Sequence, residues 1–140
     1  MSVLVDSDVL IDVAEDDPVW GDWSRSALER VADSSLLVVN PIIYAEVSAG
    51  YARVEEIERF MPAALFRREQ LPWEAAFLAG KAFLAYRRRG GRSRSPLPDF
   101  YIGAHAAVCG HRLLTRDATR YRTYFPRLDI IAPPEGDPDP

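Results

Sequence analysis

The feature that most constrains this chain is an apolar run that stops at a carboxylate. Val3-Leu4-Val5 leads straight into Asp6, and Ser7-Asp8-Val9-Leu10-Ile11-Asp12 follows. Consecutive apolar residues without alternation read as a strand buried on both faces, the pattern of a parallel sheet covered by helices. Such a strand delivers Asp6 to the rim of the sheet, where open α/β sheets hold ligands.

The same alternation continues along the chain. Residues 8–16 predict a helix carrying Val9, Leu10 and Val13 inward, broken at Asp17-Pro18. Residues 22–33 predict another, with Ala27, Leu28 and Val31 as its stripe and Ser26 and Glu29 at capping-box spacing. Leu36-Leu37-Val38-Val39 is a second buried strand, ended by Asn40-Pro41, and Pro41 suits the first turn of a helix running towards Arg53. A helix over residues 54–61 carries Ile57 and Phe60, and a short strand is expected around Leu65 and Phe66. Pro72 opens the clearest helix, in which Trp73, Phe77, Gly80, Phe83 and Leu84 recur at helical spacing. It ends in Arg87-Arg88-Arg89-Gly90-Gly91, cations and glycine where a helix C-terminus favours them. After a loop, residues 99–109 form a helix, residues 112–114 a strand, residues 118–124 a short helix and residues 128–131 a last strand. The fold class is therefore α/β, a mostly parallel sheet flanked by helices. Residues 1–132 form one domain, and the proline-rich acidic tail, residues 133–140, is expected to be disordered.

Composition narrows the function. The 140 residues carry a net charge of −4, so no overall cationic field announces a nucleic-acid binder. Arginine supplies all but one of the 17 basic residues, Lys81 being the exception, and arginine suits bidentate phosphate recognition. The single cysteine, Cys109, excludes an internal disulfide and most cysteine-based metal sites. No apolar run approaches a membrane span, and the first cation is Arg25, so no basic signal region is expected and a reducing, cytoplasmic setting is the default.

Four acids then stand out. Glu46 has Ile42, Ile43, Ala49 and Gly50 as its helical neighbours, which sets a carboxylate on a face otherwise meant for the interior. An unpaired buried carboxylate is costly, so either a cation answers it, a metal or an arginine such as Arg53, or the side chain snorkels to solvent. Asp6, Asp99 and Asp117 can each be read as a helix cap. Asp6 is the least cap-like of the three, because Ser7 or Asp8 is better placed. Together, the four would repel one another unless protonated or bridged by metal. An all-oxygen donor set points to Mg²⁺ or Mn²⁺. Arg87, Arg88, Arg89, Arg92 and Arg94 make one dense basic patch, suited either to a phosphate backbone or simply to solvent, and Arg116 adds a cation beside Asp117. His105 and His111 have no partners at metal-ligand spacing and read as structural or surface residues. Tyr101, Tyr121, Tyr124 and Phe125 could stack on bases, but core or interface packing suits them better.

These residues carry a resemblance. LVDSDVLID at the start, IIYAEV around Glu46, PDFYIGAHA from Pro98 and LLTRD ending at Asp117 together resemble the PIN-domain ribonucleases. Among these they resemble the VapC-type toxins of bacterial toxin–antitoxin pairs, over nearly the whole chain up to Pro133. The resemblance implies a PIN-like fold and an Mg²⁺- or Mn²⁺-dependent endoribonuclease. It implies that Asp6, Glu46, Asp99 and Asp117 are catalytic and metal-binding, with Ser7 and Thr115 supporting them. Asp8 stands where many relatives have Asn or Ser, and adds a further candidate ligand. The resemblance also implies a homodimer, an RNA substrate bound in part by the arginines, and silencing by a cognate antitoxin.

Two other classes remain open. A PIN-like binding module without catalysis would keep the acids as caps. Val5-Asp6-Ser7-Asp8-Val9 also satisfies the opening motif of haloacid-dehalogenase-type phosphatases, but that chemistry needs a lysine near the phosphate and a late acidic pair at a strand end. Lys81 lies inside the amphipathic helix, and Asp137 and Asp139 lie in the tail. A phospho-acceptor receiver domain lacks a suitable lysine for the same reason.

Overall fold

The computed structural model describes residues 1–94 and 96–134. Its elements are β1 (Ser2–Val5), α1 (Ser7–Ala14), α2 (Gly21–Ser34), β2 (Leu36–Val39), α3 (Pro41–Ser48), α4 (Val54–Phe60), β3 (Phe66–Arg68), α5 (Trp73–Arg88), α6 (Leu97–Cys109), β4 (Arg112–Leu114), α7 (Thr119–Tyr124) and β5 (Ile130–Ile131). Of the tail expected from residue 133, Pro133 and Pro134 are described, and residues 135–140 lie outside the described residues.

The strands form one sheet in the order β3-β2-β1-β4-β5, with every pair parallel. Val3, Leu4 and Val5 are fully buried at its centre, which is why that run contains no polar residue. The edge strand β3 buries Phe66 and exposes Arg67 and Arg68, cations that discourage pairing with another chain. The strand order has a consequence for function. The chain winds from β1 to β2 to β3 on one side, then returns to lay β4 and β5 on the other. The crevice between the C-terminal ends of β1 and β4 is thus the point where the winding reverses, the place at which such sheets bind ligands.

Several helices differ from expectation for identifiable reasons. Ser26 and Glu29 lie inside α2, exposed, and not at its start. The turn before that helix is tied instead by Asp17, whose carboxylate accepts from the Val19 and Trp20 backbone N–H groups at 3.0 and 2.7 Å. The helix from Pro41 stops at Ser48, whose hydroxyl donates back to the Tyr44 carbonyl at 2.6 Å, a bond that competes with continuation. Of the stripe expected on α5, Phe83 packs inward against Phe100, but Trp73, Phe77 and Leu84 do not. Ala75, Ala79 and Ala82 are buried, whereas Trp73 and Phe77 are 88% and 68% exposed. The small residues allow α5 to pack closely on α6, an option that counting large apolar side chains overlooks.

Candidate active site

β1 ends by handing its last backbone bond to β4, with Asp6 N–H donating to the Leu114 carbonyl at 2.8 Å. Asp6 is then the N-cap of α1, its Oδ1 accepting from Ser7 N–H at 2.7 Å. Asp6, expected to be the least cap-like of the acids, is thus a cap after all; capping takes one oxygen and leaves the other facing the crevice. That second oxygen, Oδ2, accepts from Thr115 Oγ1 and from the Tyr121 hydroxyl, both at 2.9 Å. Tyr121 is therefore neither a stacking platform nor a purely apolar packing residue. It is 2% exposed and orients the central acid.

Thr115 also donates towards Asp8 Oδ2 at 3.1 Å and lies 3.3 Å from the backbone of Asp117. Asp8 accepts from Arg116 N–H at 3.3 Å. One threonine hydroxyl thus gathers Asp6, Asp8 and the Asp117 backbone at the strand-end crevice. Asp99 is not the cap of α6 but lies in its first turn, after the helix has begun at Leu97, and its Oδ2 accepts from Arg120 at 2.7 Å. Asp117 does not end β4; it follows three residues later, exposed. Asp6, Asp8, Asp99 and Asp117 line a single cavity of about 630 Å³ together with Arg120, Tyr121, Tyr86 and Tyr124.

Glu46 reaches this group from α3 through Ser7, whose hydroxyl donates to Glu46 Oε1 at 2.8 Å and lies 3.4 Å from Asp6. Arg53, proposed from sequence as its alternative partner, pairs with Glu55. The helix carrying Glu46 is fixed by Asn40, a buried cap whose Oδ1 accepts from Ile43 N–H at 2.9 Å.

The electrostatics of the pocket are those of crowded acids. Burial raises Asp6 well above the ordinary carboxylate value, and Asp8 and Asp99 add to the effect against the pull of Thr115 and Tyr121. Burial likewise pushes Asp8 up to about 6, against the bonds from Arg116 and Thr115. Glu46 is raised by burial and by Asp99, with Ser7 pulling the other way. Among the described ion pairs, the one inside the cavity is Arg120 with Asp99. The donors are oxygens and their charges are under-compensated, a set that fits a hard divalent cation.

The arginines divide into two groups. Arg116 directs its Nε to the buried Asp12 Oδ2 at 2.8 Å and lies over the Trp20 ring, while the Ser24 hydroxyl donates to the same oxygen at 2.7 Å. Arg89 lies over Tyr124, a wall of the acidic cavity, and Arg87 over Phe83. Arg88, Arg92 and Arg94 are exposed nearby in sequence. Sequence reasoning missed Arg120 and the Asp12–Arg116 pair, since neither lies at a spacing that marks it.

Comparison with known proteins agrees with this geometry. A family model described as "PIN domain" matches residues 3–126. No curated protein matches the sequence. Among solved structures, VapBC2 from Rickettsia felis, bound to a DNA fragment from its promoter, is similar with a TM-score of 0.73 at 16% identity, covering 96% of this chain and 100% of that one. VapBC-1 from nontypeable Haemophilus influenzae gives 0.71 at 18% identity, covering 94% and 98%. A toxin–antitoxin complex from Klebsiella pneumoniae gives 0.68 at 20% identity, covering 92% and 95%.

Proposed function

The chain belongs to the PIN-domain family, and from that premise we propose that it is a divalent-metal-dependent endoribonuclease acting as a VapC-type toxin. The observation that carries the reading is the convergence of Asp6, Asp8, Asp99 and Asp117 in one cavity, with Glu46 joined through Ser7. Caps serving their own helices have no need to meet. Here they meet at the crevice where the winding of the sheet reverses.

These acids would hold one or two Mg²⁺ or Mn²⁺ ions, with Asp8 as the further ligand. A metal held by these residues would lower the pKa of a bound water and offset charge on the scissile phosphate. The chain's own residues do the positioning. Thr115 and Tyr121 fix Asp6 by hydrogen bonds to one oxygen, so the carboxylate does not rotate when substrate arrives. Ser7 holds Glu46 within reach of the same centre. Arg120, paired with Asp99 at the wall of the cavity, would be placed to meet a phosphate oxygen, and Arg89 with its neighbours would extend a cationic rim for the RNA backbone.

The solved relatives include toxin–antitoxin complexes, which supports a cognate antitoxin as partner; homodimerisation and action in the cytoplasm belong to the same reading. No described helix is long and apolar enough to cross a membrane. The test is cleavage of total cellular RNA by the purified chain with Mg²⁺, with EDTA, and by the Asp6→Asn and Glu46→Gln variants. Cuts that require metal and disappear in both variants are expected. Equal behaviour of all proteins, with no metal bound, would replace the nuclease with a non-catalytic binding module.

A further inference from the structure

Away from the acidic cavity, the fold assembles a second group of metal-ligating side chains. Glu69 follows β3, His105 and Cys109 lie one turn apart on α6, and His111 immediately precedes β4. One ligand atom from each lies within 4.8 Å of every other. The two histidines, read from sequence as structural or surface residues without partners at metal-ligand spacing, are buried and find partners in distant segments, and the reason is topological. Glu69 is 36 residues from His105, and His111 is turned back towards α6 by Gly110, a left-handed cap at φ 71°. That cap sends His111 N–H to the Ala106 carbonyl at 2.9 Å.

The hydrogen bonds assign different roles to the four. Asn40 Oδ1 accepts from Ile43 N–H, so its Nδ2 donates to His105 Nδ1 at 2.9 Å. Neutral His105 must then carry its proton on Nε2, which donates to Glu69 Oε1 at 3.1 Å. His105, fully buried, positions the carboxylate and has no lone pair left for a cation. His111 is not constrained in this way. Its Nε2 donates to the same Glu69 oxygen at 2.7 Å, while its Nδ1 faces the Ser2 hydroxyl at 2.5 Å, which can accept a proton; a shift of tautomer therefore frees the Nε2 lone pair for a cation that replaces the proton between His111 and Glu69. Cys109 completes the group from the exposed side.

We propose that Glu69, Cys109 and His111 form a second metal site, specific for a zinc-class divalent ion, with His105 locking Glu69 in place. Carboxylate, thiolate and imidazole together select zinc or cobalt over magnesium, so the site is chemically separate from the all-oxygen cavity. Occupied, it ties the end of β3 to the C-terminus of α6 and the start of β4. The fourth position opens to solvent beside Cys109. Binding displaces the thiol proton and tightens as pH rises.

The test is a Co²⁺ titration of the metal-free, full-length chain, because a thiolate ligand produces a near-ultraviolet charge-transfer band that oxygen ligands do not. The expected result is a band saturating at about one equivalent, displaced by Zn²⁺. It should be absent in Cys109→Ser, an exposed substitution that leaves the fold intact, and present in Asp6→Asn, where the acidic cavity is damaged. Glu69→Gln and His111→Asn should weaken binding by about tenfold or more. Cys109→Ser should cleave RNA as wild type does, which separates this site from the nuclease reading. No band, a band lost in Asp6→Asn, or wild-type affinity in both Glu69→Gln and His111→Asn would overturn the site and leave a hydrogen-bonded histidine–glutamate network.

Discussion

Asp8 shows how a single side chain can be set against the stability of its own fold. Its carboxyl is held at about 6, mainly by burial, against 3.8 in an exposed chain. A group whose folded value is raised binds its proton more tightly when folded. Its contribution is therefore most favourable at low pH and is lost as pH rises from about 4 through about 6. Asp6, raised in the same direction, acts with the same sign. Asp8→Asn should accordingly stabilise the metal-free chain at pH 7, on the order of 1–2 kcal/mol, with little gain at pH 4. Denaturant melts of both proteins across that range measure the difference, and a gain that shrinks with rising pH would contradict it. Strain of this kind is common where acids are gathered for a purpose. Asp6 was legible in the sequence because a buried strand ended on it. Arg120 was not, since nothing local marks a half-buried helical arginine that meets an acid 21 residues away.

At the scale of elements, the site depends on how α6 and α7 touch. A Cβ on Gly103 would come within 2.6 Å of the Phe125 ring and 3.1 Å of Tyr121. Gly103→Ala should therefore push α7 away, costing about 1–3 kcal/mol, and it should also weaken metal binding, because Tyr121 holds Asp6. Thermal melts and metal titration of that variant test both effects. Asn40 has two tasks, capping α3 and fixing His105. Asn40→Ala should cost about 2 kcal/mol, more than an ordinary cap, by denaturant unfolding. The outer face of α5 should behave oppositely. Trp73→Ser and Phe77→Ser should change the stability of the isolated chain by less than about 0.5 kcal/mol, because those side chains are exposed. A large loss would mean that they pack in solution. The helix itself was plain from periodicity, but its buried side was not. Two stripes competed, and the alanines prevailed because they allow the closer approach to α6.

For the whole molecule, the metal proposed for the acidic cavity would link folding to ion binding. A cation that binds the folded chain alone stabilises it by about 2.7 kcal/mol at a hundredfold excess over its Kd. The melting temperature should rise with Mg²⁺ or Mn²⁺ concentration, and the rise should vanish in Asp6→Asn. A shift of equal size in that variant would place the cation elsewhere. The sheet order makes the linkage effective. Asp6 and Thr115 stand at the ends of the adjacent β1 and β4, while Glu46 and Asp99 arrive from α3 and α6, so the elements must be docked before the ligands meet.

The sequence by itself determined the alternation of buried strands and helices, and the acids that end or open them. Those properties depend on short-range patterning, in which an uninterrupted apolar run or a proline at a helix start acts over a few residues. Tertiary structure decided which side chains share a hydrogen-bond partner. It put Tyr121 on Asp6, Arg120 on Asp99 and Arg116 on Asp12, and it brought Glu69 to His105, Cys109 and His111. Pairings between groups far apart in the chain depend on strand order and helix approach, which periodicity does not encode. Both candidate sites therefore drew their residue types from the sequence and their geometry from the packing of the sheet and its helices.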